Sequence, residues 1–220
     1  MSSAARWSLA ALVVVVALVV AIWPRGDDAE TPSYQDRFGS GGRTPTAVSA
    51  DPDALAVLRT QAGLASCPAA TATSEPSPGS VLSGIALECV GDGSQVDLAA
   101  ALGGKPALLN LWAYWCGPCA EELPYMQQFS DRAGDAVTVL TVHTDPNEAS
   151  ALSRLVDYSV TLPGVQDADG RVRAAVGAPP VLPVSVLIRP DGTVAKVLPQ
   201  PFRSVDEIAD AVEQNLGVAA

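Results

Sequence analysis

The chain has 220 residues, a hydrophobic fraction of 48% and a formal net charge of −11 at pH 7. This length is sufficient for one ordinary domain with a buried core and some additional segments. A surface this acidic argues against nucleic acid and against anionic lipid as binding partners.

The first predicted element is an apolar segment from Trp7 to Pro24, 18 uncharged residues that lie between Arg6 and Arg25. That is the minimum length for a helix that spans a bilayer core of about 30 Å. A cleaved signal peptide is the alternative, but no A-x-A cleavage site follows the apolar run. We therefore predict an N-terminal transmembrane helix over residues 1–24. Arg6 and the free amine precede this helix, and Asp27, Asp28 and Glu30 follow soon after Arg25. The positive-inside rule therefore predicts a cytoplasmic N-terminus and an extracytoplasmic remainder of the chain.

Residues 25–66 are predicted to form a flexible tether that contains one short helix. The first part of this segment is rich in Gly, Pro, Ser and Thr and contains few large apolar residues. The stretch "DPDALAVLRTQAG" then predicts a helix that Asp51 caps, that starts with Pro52 and that Gly63 ends. The main domain is expected over residues 67–220.

Short strands and helices alternate from residue 81 onward. Strands are predicted in "SGIALECV", "PALLNLWA" and "AVTVLTVH", and "VSVLIRPDGTVAKVL" predicts a hairpin that turns at Asp191-Gly192. Helices are predicted in "NEASALSRLVDYS", "RVRAAVG" and "GPCAEELPYMQQFSDRAG", the last interrupted or kinked at Pro124. A final helix, "SVDEIADAVEQNLG", has a capping box from Ser204 to Glu207. This alternation predicts an α/β domain with a mixed central sheet and helices on both faces.

The stretch "NLWAYWCGPCAEELP" places Cys116 and Cys119 between a buried strand and a helix. At the helix start, the Cys116 sulfur would face unpaired backbone N–H groups and the positive end of the helix dipole, which both favour the thiolate. Cys119 would lie on the same helix face and could attack a mixed disulfide formed at Cys116. The spacing therefore predicts a reversible redox pair.

A zinc site and a structural disulfide are the two alternative uses of these cysteines. A zinc site would need two more ligands, and the remaining candidates, Cys67, Cys89 and His143, contain no second close pair. A purely structural disulfide at this spacing would close a very small loop and stabilise the fold little. Four cysteines allow three pairings, and local pairing of Cys116 with Cys119 leaves Cys67 with Cys89. We interpret the latter pair as structural, with a second redox relay as the alternative.

The sequence "WCGPC" after an apolar strand resembles the active site of thioredoxins. The longer "NLWAYWCGPCAEELP" is similar to membrane-anchored, extracytoplasmic thioredoxin-like proteins of the TlpA, ResA and cytochrome-c-maturation type. The resemblance covers roughly residues 80–215 and includes "QDADGRVRAAVG" and "VLPVSVLIRPDGTV". The anchor, the Cys67–Cys89 pair and this domain together resemble the actinobacterial members of the group.

This resemblance implies a thioredoxin-like fold and thiol–disulfide oxidoreductase activity without a cofactor or a metal. It assigns Cys116 as the attacking thiol, Cys119 as the resolving thiol and Leu182-Pro183 as the cis-proline that offers backbone groups to an extended substrate. Pro179 and Pro180 are rival positions, but Pro183 directly precedes the strand "VSVLI". The residues expected to contact a client are Trp115, which would shield the site, Gly117, Pro118, Leu182 and Pro183.

A departure from thioredoxin concerns proton transfer at Cys119. Where thioredoxin has a buried aspartate, this chain has Asn110, and an amide cannot take the proton that Cys119 must lose. Glu122 lies three residues after Cys119 on the same helix face, and the resemblance assigns proton transfer to a glutamate at this place. We predict that Glu122 is the acid/base group, with a pKa raised by burial. The alternative is a solvated helix glutamate, as expected for Glu121.

The resemblance further implies a reductase, because Gly-Pro between the cysteines is the dipeptide of reducing thioredoxins. Its partners would be disulfide-containing client proteins, typically apocytochrome c, and a membrane electron donor of the CcdA or DsbD type. An oxidase that forms disulfides and a non-catalytic binding module are alternatives. A thiol peroxidase is disfavoured, because Ala113 stands where that enzyme needs a threonine.

Overall fold

The computed structural model of the chain describes residues 52–70 and 79–219. The predicted anchor over residues 1–24, the first part of the tether and the predicted cap Asp51 lie outside these ranges. Among the residues that the structure describes, no helix combines the length and the apolar character needed to cross a bilayer. The anchor therefore stays a prediction.

The described ranges contain an alternating series of strands and helices. In chain order these are α1 (Pro52–Ala62), β1 (Ala86–Cys89), β2 (Gln95–Asp97), α2 (Leu98–Leu102), β3 (Ala107–Trp112), α3 (Gly117–Ala133), β4 (Thr138–His143), α4 (Glu148–Asp157), β5 (Gly164–Gln166), α5 (Arg171–Ala175), β6 (Val184–Ile188), β7 (Val194–Leu198) and α6 (Val205–Leu216). A 3-10 turn, Gly134–Ala136, joins α3 to β4.

The strands form one mixed sheet in the order β2-β1-β5-β4-β3-β6-β7. Strands β3, β4 and β5 are mutually parallel, whereas β1 is antiparallel to β5 and β6 is antiparallel to both β3 and β7. Alternate residues of β3 join different cores: Leu108 and Trp112 pack with α3 and α6, whereas Leu109 and Leu111 pack with α2 and α5. The predicted α/β domain with helices on both faces is confirmed.

Strand β3 lies next to the middle of the sheet, and all six of its residues are buried. Its one polar residue, Asn110, has 0% of its surface exposed. Because side chains alternate along a strand, Asn110 points to the same face as Leu108 and Trp112, towards α3. The strand thus carries a polar group into the core beneath the helix that begins at the cysteine motif.

Most predicted elements are present, with differences in detail. The short elements β2, α2 and β5 were not predicted. Helix α3 continues through Pro124 as one element, rather than being interrupted there. The hydroxyl of Ser204 accepts a hydrogen bond from the Glu207 N–H at 3.2 Å, as the capping box predicts, but the Glu207 carboxylate accepts from the Arg203 N–H.

Helix α1 is attached to the rest of the domain by charged contacts. The Arg59 guanidinium bonds to Glu88 on β1 and, at 2.9 Å, to Glu148 on α4. Ala62 is buried with Val90 and Leu152 at the end of this helix. The predicted helix is therefore present and docked, while the predicted domain boundary at residue 67 stays a prediction.

Candidate active site

Cys116 is the N-cap residue of α3, directly after the turn that leaves β3. Its backbone is extended, and its Sγ accepts a hydrogen bond from the Cys119 N–H at 3.3 Å. The Cys116 N–H in turn donates to the Ala113 carbonyl at 3.0 Å, which closes the turn after the strand. Pro118 lies in the first turn of the helix, where its missing N–H costs no intrahelical hydrogen bond. The buried strand and the helix start therefore fix the position of this sulfur.

Cys116 and Cys119 are linked by a disulfide with a Cα–Cα distance of 5.3 Å. Their exposure differs: Cys116 is 7% exposed and Cys119 is 0% exposed. Of the two residues, only Cys116 lines the groove described next. The pairing is as predicted, and the geometry makes Cys116 the sulfur that a second protein can reach.

A groove of about 560 Å³ lies beside Cys116. The residues lining it are Trp115, Cys116, Gly117, Pro118, Thr144, Ala168, Asp169, Gly170, Arg173, Pro180, Val181 and Leu182. Four of the five predicted client-contact residues are among them. The fifth, Pro183, follows a cis peptide bond, is buried and does not line the groove.

Two exposed apolar side chains stand at this groove. Trp115 is 61% exposed and Val181 is 49% exposed. The Trp115 indole N–H donates a hydrogen bond to Asp145 Oδ2 at 2.9 Å, so a polar contact orients the exposed ring. Both side chains line the groove, so part of its wall beside Cys116 is apolar and exposed.

The groove also contains two charged residues that sequence reasoning missed, Asp169 and Arg173. No ion pair of Arg173 is found within residues 52–70 and 79–219. A Cβ atom added to Gly170 would lie 3.4 Å from a guanidinium nitrogen of Arg173. Gly170 also has a φ of +67°, a backbone conformation that favours glycine. The segment "QDADGRVRAAVG" carries part of the family resemblance, but its residue pattern does not mark these side chains as part of a site.

Glu122 is completely buried although it is ionisable. Its Oε1 accepts a hydrogen bond from the Phe202 N–H at 2.9 Å, and its Oε2 accepts one from Asn110 Nδ2 at 2.7 Å. Burial raises the pKa of Glu122 from 4.5 to about 7, although the bonds from Phe202 and Asn110 act in the opposite direction. The expected raised pKa is thus present, one helical turn after Cys119.

Asn110 connects this carboxyl group to the sheet. Its Nδ2 donates both to Glu122 and, at 3.3 Å, to Ser185 Oγ on β6. Its Oδ1 is buried without a hydrogen-bond partner among the described residues. Sequence reasoning identified Asn110 and Glu122 but missed Ser185 and the Phe202 N–H, because these groups come from distant parts of the chain.

His143 lies at the end of β4 and is buried rather than open to the groove. Its Nδ1 is 2.9 Å from Gln166 Oε1, and its ring centroid lies 5.0 Å from that of Trp112. Burial lowers the pKa of His143, against smaller opposing effects of Gln166 and Asp145. These contacts are those of a packing residue.

Cys67 and Cys89 form the second disulfide, with a Cα–Cα distance of 6.0 Å and a sequence separation of 22 residues. Cys89 is 0% exposed, and neither residue lines the groove at Cys116. This pair joins the segment after α1 to β1, at the other half of the sheet from β3. Its position is that of a link between chain segments.

Comparison with known proteins identifies the group to which this site belongs. Residues 65–213 match the family model described as Redoxin. The chain is 34% identical over 108 residues to the thiol-disulfide oxidoreductase ResA of Bacillus subtilis, a match that covers 49% of this chain and 59% of that protein. The chain thus spans less than two thirds of the length of this curated relative.

Solved structures give the same picture for the fold. MTB dsbF matches with a TM-score of 0.55 and 27% identity, over 61% of this chain and 96% of that one. A secreted Mycobacterium tuberculosis disulfide oxidoreductase, described as homologous to E. coli DsbE, matches with a TM-score of 0.52 and 29% identity, over 59% and 95%. The predicted thioredoxin-like α/β fold and the TlpA/ResA-like resemblance are confirmed.

Proposed function

The chain belongs to the Redoxin family, and we propose that it is a membrane-tethered thiol–disulfide oxidoreductase that reduces protein disulfides outside the cytoplasm. The observation that carries this proposal is the asymmetry of the motif. One sulfur, that of Cys116, caps a helix and opens on a groove, while its partner Cys119 is buried one turn before a buried carboxyl group. This arrangement suits an attacking and a resolving thiol, because the rate of thiol–disulfide exchange depends on access to the sulfur.

In the reduced protein, the Cys116 thiolate attacks one sulfur of a client disulfide. The client S–S bond breaks, a bond forms between Cys116 Sγ and the client sulfur, and the second client sulfur leaves as a thiolate. Cys119 then loses its proton to Glu122 and attacks Cys116 Sγ. The enzyme disulfide forms, the first client sulfur is released, and two electrons have passed from the enzyme dithiol to the client.

Glu122 is the proposed proton acceptor for the second step. A pKa of about 7 is well suited to a general base near neutral pH, because the group is partly ionised yet basic enough to take a proton. Two neutral donors, the Phe202 N–H and the Asn110 amide, hold the carboxylate in place. Asn110 itself has no basic nitrogen and does not replace this group.

The groove residues have the proposed role of client contacts. Trp115, Gly117, Pro118 and Leu182 surround Cys116 on the groove side, and Pro183 fixes the chain where it enters β6. We propose that an extended segment of the client lies against Leu182 and the exposed Trp115 ring. The Cys67–Cys89 disulfide has a structural role in this proposal.

The oxidised enzyme formed in each turnover must be reduced again outside the cytoplasm. We propose a membrane electron donor of the CcdA or DsbD type for this step, and disulfide-containing proteins, apocytochrome c among them, as clients. Tethering by residues 1–24 would keep the domain close to such a donor. The names of the relatives support thiol–disulfide exchange, and the reducing direction rests on Gly117-Pro118.

The decisive experiment is to express the full chain with Cys119→Ser in its native membrane and to isolate proteins disulfide-linked to Cys116. We expect clients with paired cysteines, released by reductant. Matched controls are Cys116→Ser, which should retain none of them, and the double variant. Equal recovery with Cys116→Ser would refute the assignment of Cys116. A reduction potential as high as that of strong disulfide-forming oxidants would instead select the oxidase.

A further inference from the structure

The buried amide of Asn110 is only half satisfied. Nδ2 donates two hydrogen bonds, to Glu122 Oε2 at 2.7 Å and to Ser185 Oγ at 3.3 Å. Oδ1 receives none from the described residues, although Asn110 is 0% exposed. Buried acceptors without a partner are uncommon and costly, so this oxygen calls for an explanation.

The hydrogen bonds around Glu122 suit only its ionised form. Both carboxylate oxygens accept, one from the Phe202 N–H and one from the Asn110 amide. A protonated carboxyl group carries an O–H that needs an acceptor. Neither a backbone N–H nor an amide NH₂ can accept it, and no ion pair to Glu122 is found in the described part of the chain.

The elements packed around Glu122 contribute few groups that could serve instead. Strand β3 provides Asn110, strand β6 provides Ser185 behind it, and the segment before α6 provides the Phe202 N–H. On α3 itself, Cys119 lies one turn earlier and carries a titratable thiol once its disulfide is reduced. The unpaired Oδ1 belongs to the side chain that already bonds to Glu122, so a rotation of the amide would bring this acceptor to the carboxyl group.

We propose that the Asn110 amide rotates by half a turn about its Cβ–Cγ bond when Glu122 gains a proton, and rotates back when that proton leaves. After the rotation, Oδ1 accepts the Glu122 O–H. The Ser185 hydroxyl can donate as well as accept, so it keeps its contact with the amide by donating to Oδ1. Nδ2 then takes the place that Oδ1 occupied before the rotation. Asn110 is thus a positioning residue that offers Glu122 a hydrogen bond in both protonation states.

This rotation is separable from the proposed function. The use of Glu122 as the proton acceptor of Cys119 rests on that function, whereas the rotation requires only that Glu122 titrates. The experiments below need neither a client nor an electron donor. A chain that trapped no client in the membrane could still show the rotation, and the two failures are therefore distinguishable.

The first test is a double-mutant cycle on the oxidised full chain, with Asn110→Leu, Glu122→Leu and the double variant. Unfolding free energies are measured at pH 5, where Glu122 is protonated, and at pH 9, where it is ionised. We expect a favourable coupling between the two residues at both pH values. A fixed amide that only donates would leave the Glu122 O–H unpaired at pH 5, so its coupling would be much weaker at pH 5 than at pH 9, which would overturn the proposal.

Thr141→Val is the matched control for these variants. Thr141 is the partner of Asn110 in the β3–β4 register and is also buried, but its hydroxyl bonds to the Pro163 carbonyl at 3.2 Å. A cycle between Thr141→Val and Glu122→Leu should give no coupling at either pH. Coupling as large as that of Asn110 would show a general effect of polar groups in the sheet, and would overturn the assignment to Asn110.

The second test uses the unsubstituted chain, so it does not depend on whether the variants fold. In NMR spectra at pH 9, the Asn110 Nδ2 protons should show nuclear Overhauser contacts to the Ser185 β-protons. At pH 5 these contacts should be lost, with the same midpoint as the ¹³C shift of the Glu122 carboxyl carbon. Contacts that persist unchanged through that titration would overturn the proposal.

Discussion

Replacing Glu122 by glutamine should change how the stability of the protein depends on pH. Burial raises the pKa of Glu122 to about 7, against 4.5 for an unperturbed glutamate. Between these values the unfolded chain has lost the proton while the folded chain still holds it. Folding therefore takes up a proton, and the free energy of unfolding falls as the pH rises. Glutamine has no proton to lose at this position, so its variant lacks this fall.

The size of the effect follows from the difference between the two pKa values. One pKa unit corresponds to about 1.4 kcal/mol, so a shift from 4.5 to about 7 gives a fall of about 3 kcal/mol in the unfolding free energy. No discount for solvent screening is needed, because Glu122 is 0% exposed. Below pH 4.5 the two proteins should differ by a constant amount, and above pH 7 the difference should again be constant.

The assay is denaturant unfolding of the oxidised chain at several pH values from 4 to 8, for wild type and Glu122→Gln. The quantity of interest is the difference between the two curves, because His143 and Glu148 also have shifted pKa values and affect both proteins equally. Glu121→Gln removes an exposed carboxylate from the same helix and serves as the control. The Glu121→Gln variant should still show the fall in unfolding free energy between pH 4.5 and 7.

Two results would contradict this reasoning. If the difference between wild type and Glu122→Gln did not change with pH, Glu122 would titrate alike in the folded and unfolded chains, and its burial would be compensated by contacts that the structure does not show. If the difference changed with the opposite sign, the carboxylate would be stabilised in the folded state. Either result would remove the basis for a proton acceptor near neutral pH.

Three further predictions concern catalysis, the second disulfide and client choice. In stopped-flow experiments, Glu122→Gln should slow resolution of the mixed disulfide on the order of 10²-fold and abolish the pH dependence of this step near pH 7. The first attack by Cys116 should remain fast. Equal slowing of both steps would contradict the role of Glu122 as proton acceptor for Cys119. Cys67→Ala with Cys89→Ala should lower the unfolding free energy by about 3 kcal/mol without a change in turnover, whereas lost turnover would indicate a redox relay. Arg173→Glu should raise the KM for a disulfide peptide with aspartate beside its cysteine about fivefold and leave kcat unchanged. A fivefold change corresponds to about 1 kcal/mol, as expected for an exposed charge. A peptide with asparagine in place of the aspartate is the control, and an equal change in KM for both peptides would contradict a charge effect.

The fold was predictable where the sequence pattern is long. Strand β3 is a continuous apolar run, and α3 follows it with helix-forming residues and a proline in its first turn, so both were expected at their places. Strands β2 and β5 have three residues each, which is too short for an alternating pattern to show. They are strands because β1 and β4 offer them hydrogen-bond partners, a tertiary effect that local sequence does not contain.

The site was predictable where its members are close in sequence. Cys116, Cys119 and Glu122 follow one another at three-residue spacing along α3, so the spacing predicts that they are neighbours, and the family resemblance supplies the role expected of Glu122. The remaining members come from elsewhere: Ser185 approaches across the sheet, and the Phe202 N–H comes from the segment before α6. A backbone donor has no residue-type signature at all, and it can be found only from the structure.

The position of Cys116 at the start of α3 decides how a loss-of-function variant should be designed. Its sulfur accepts the Cys119 N–H and is therefore part of the helix cap. Serine is among the preferred N-cap residues and alanine is not, with a typical cost of about 1 kcal/mol for alanine. Cys116→Ser thus removes the proposed nucleophile and keeps a preferred residue at the helix cap. Cys116→Ala also weakens the cap of the helix that carries Cys119, so inactivity in the alanine protein would have two causes.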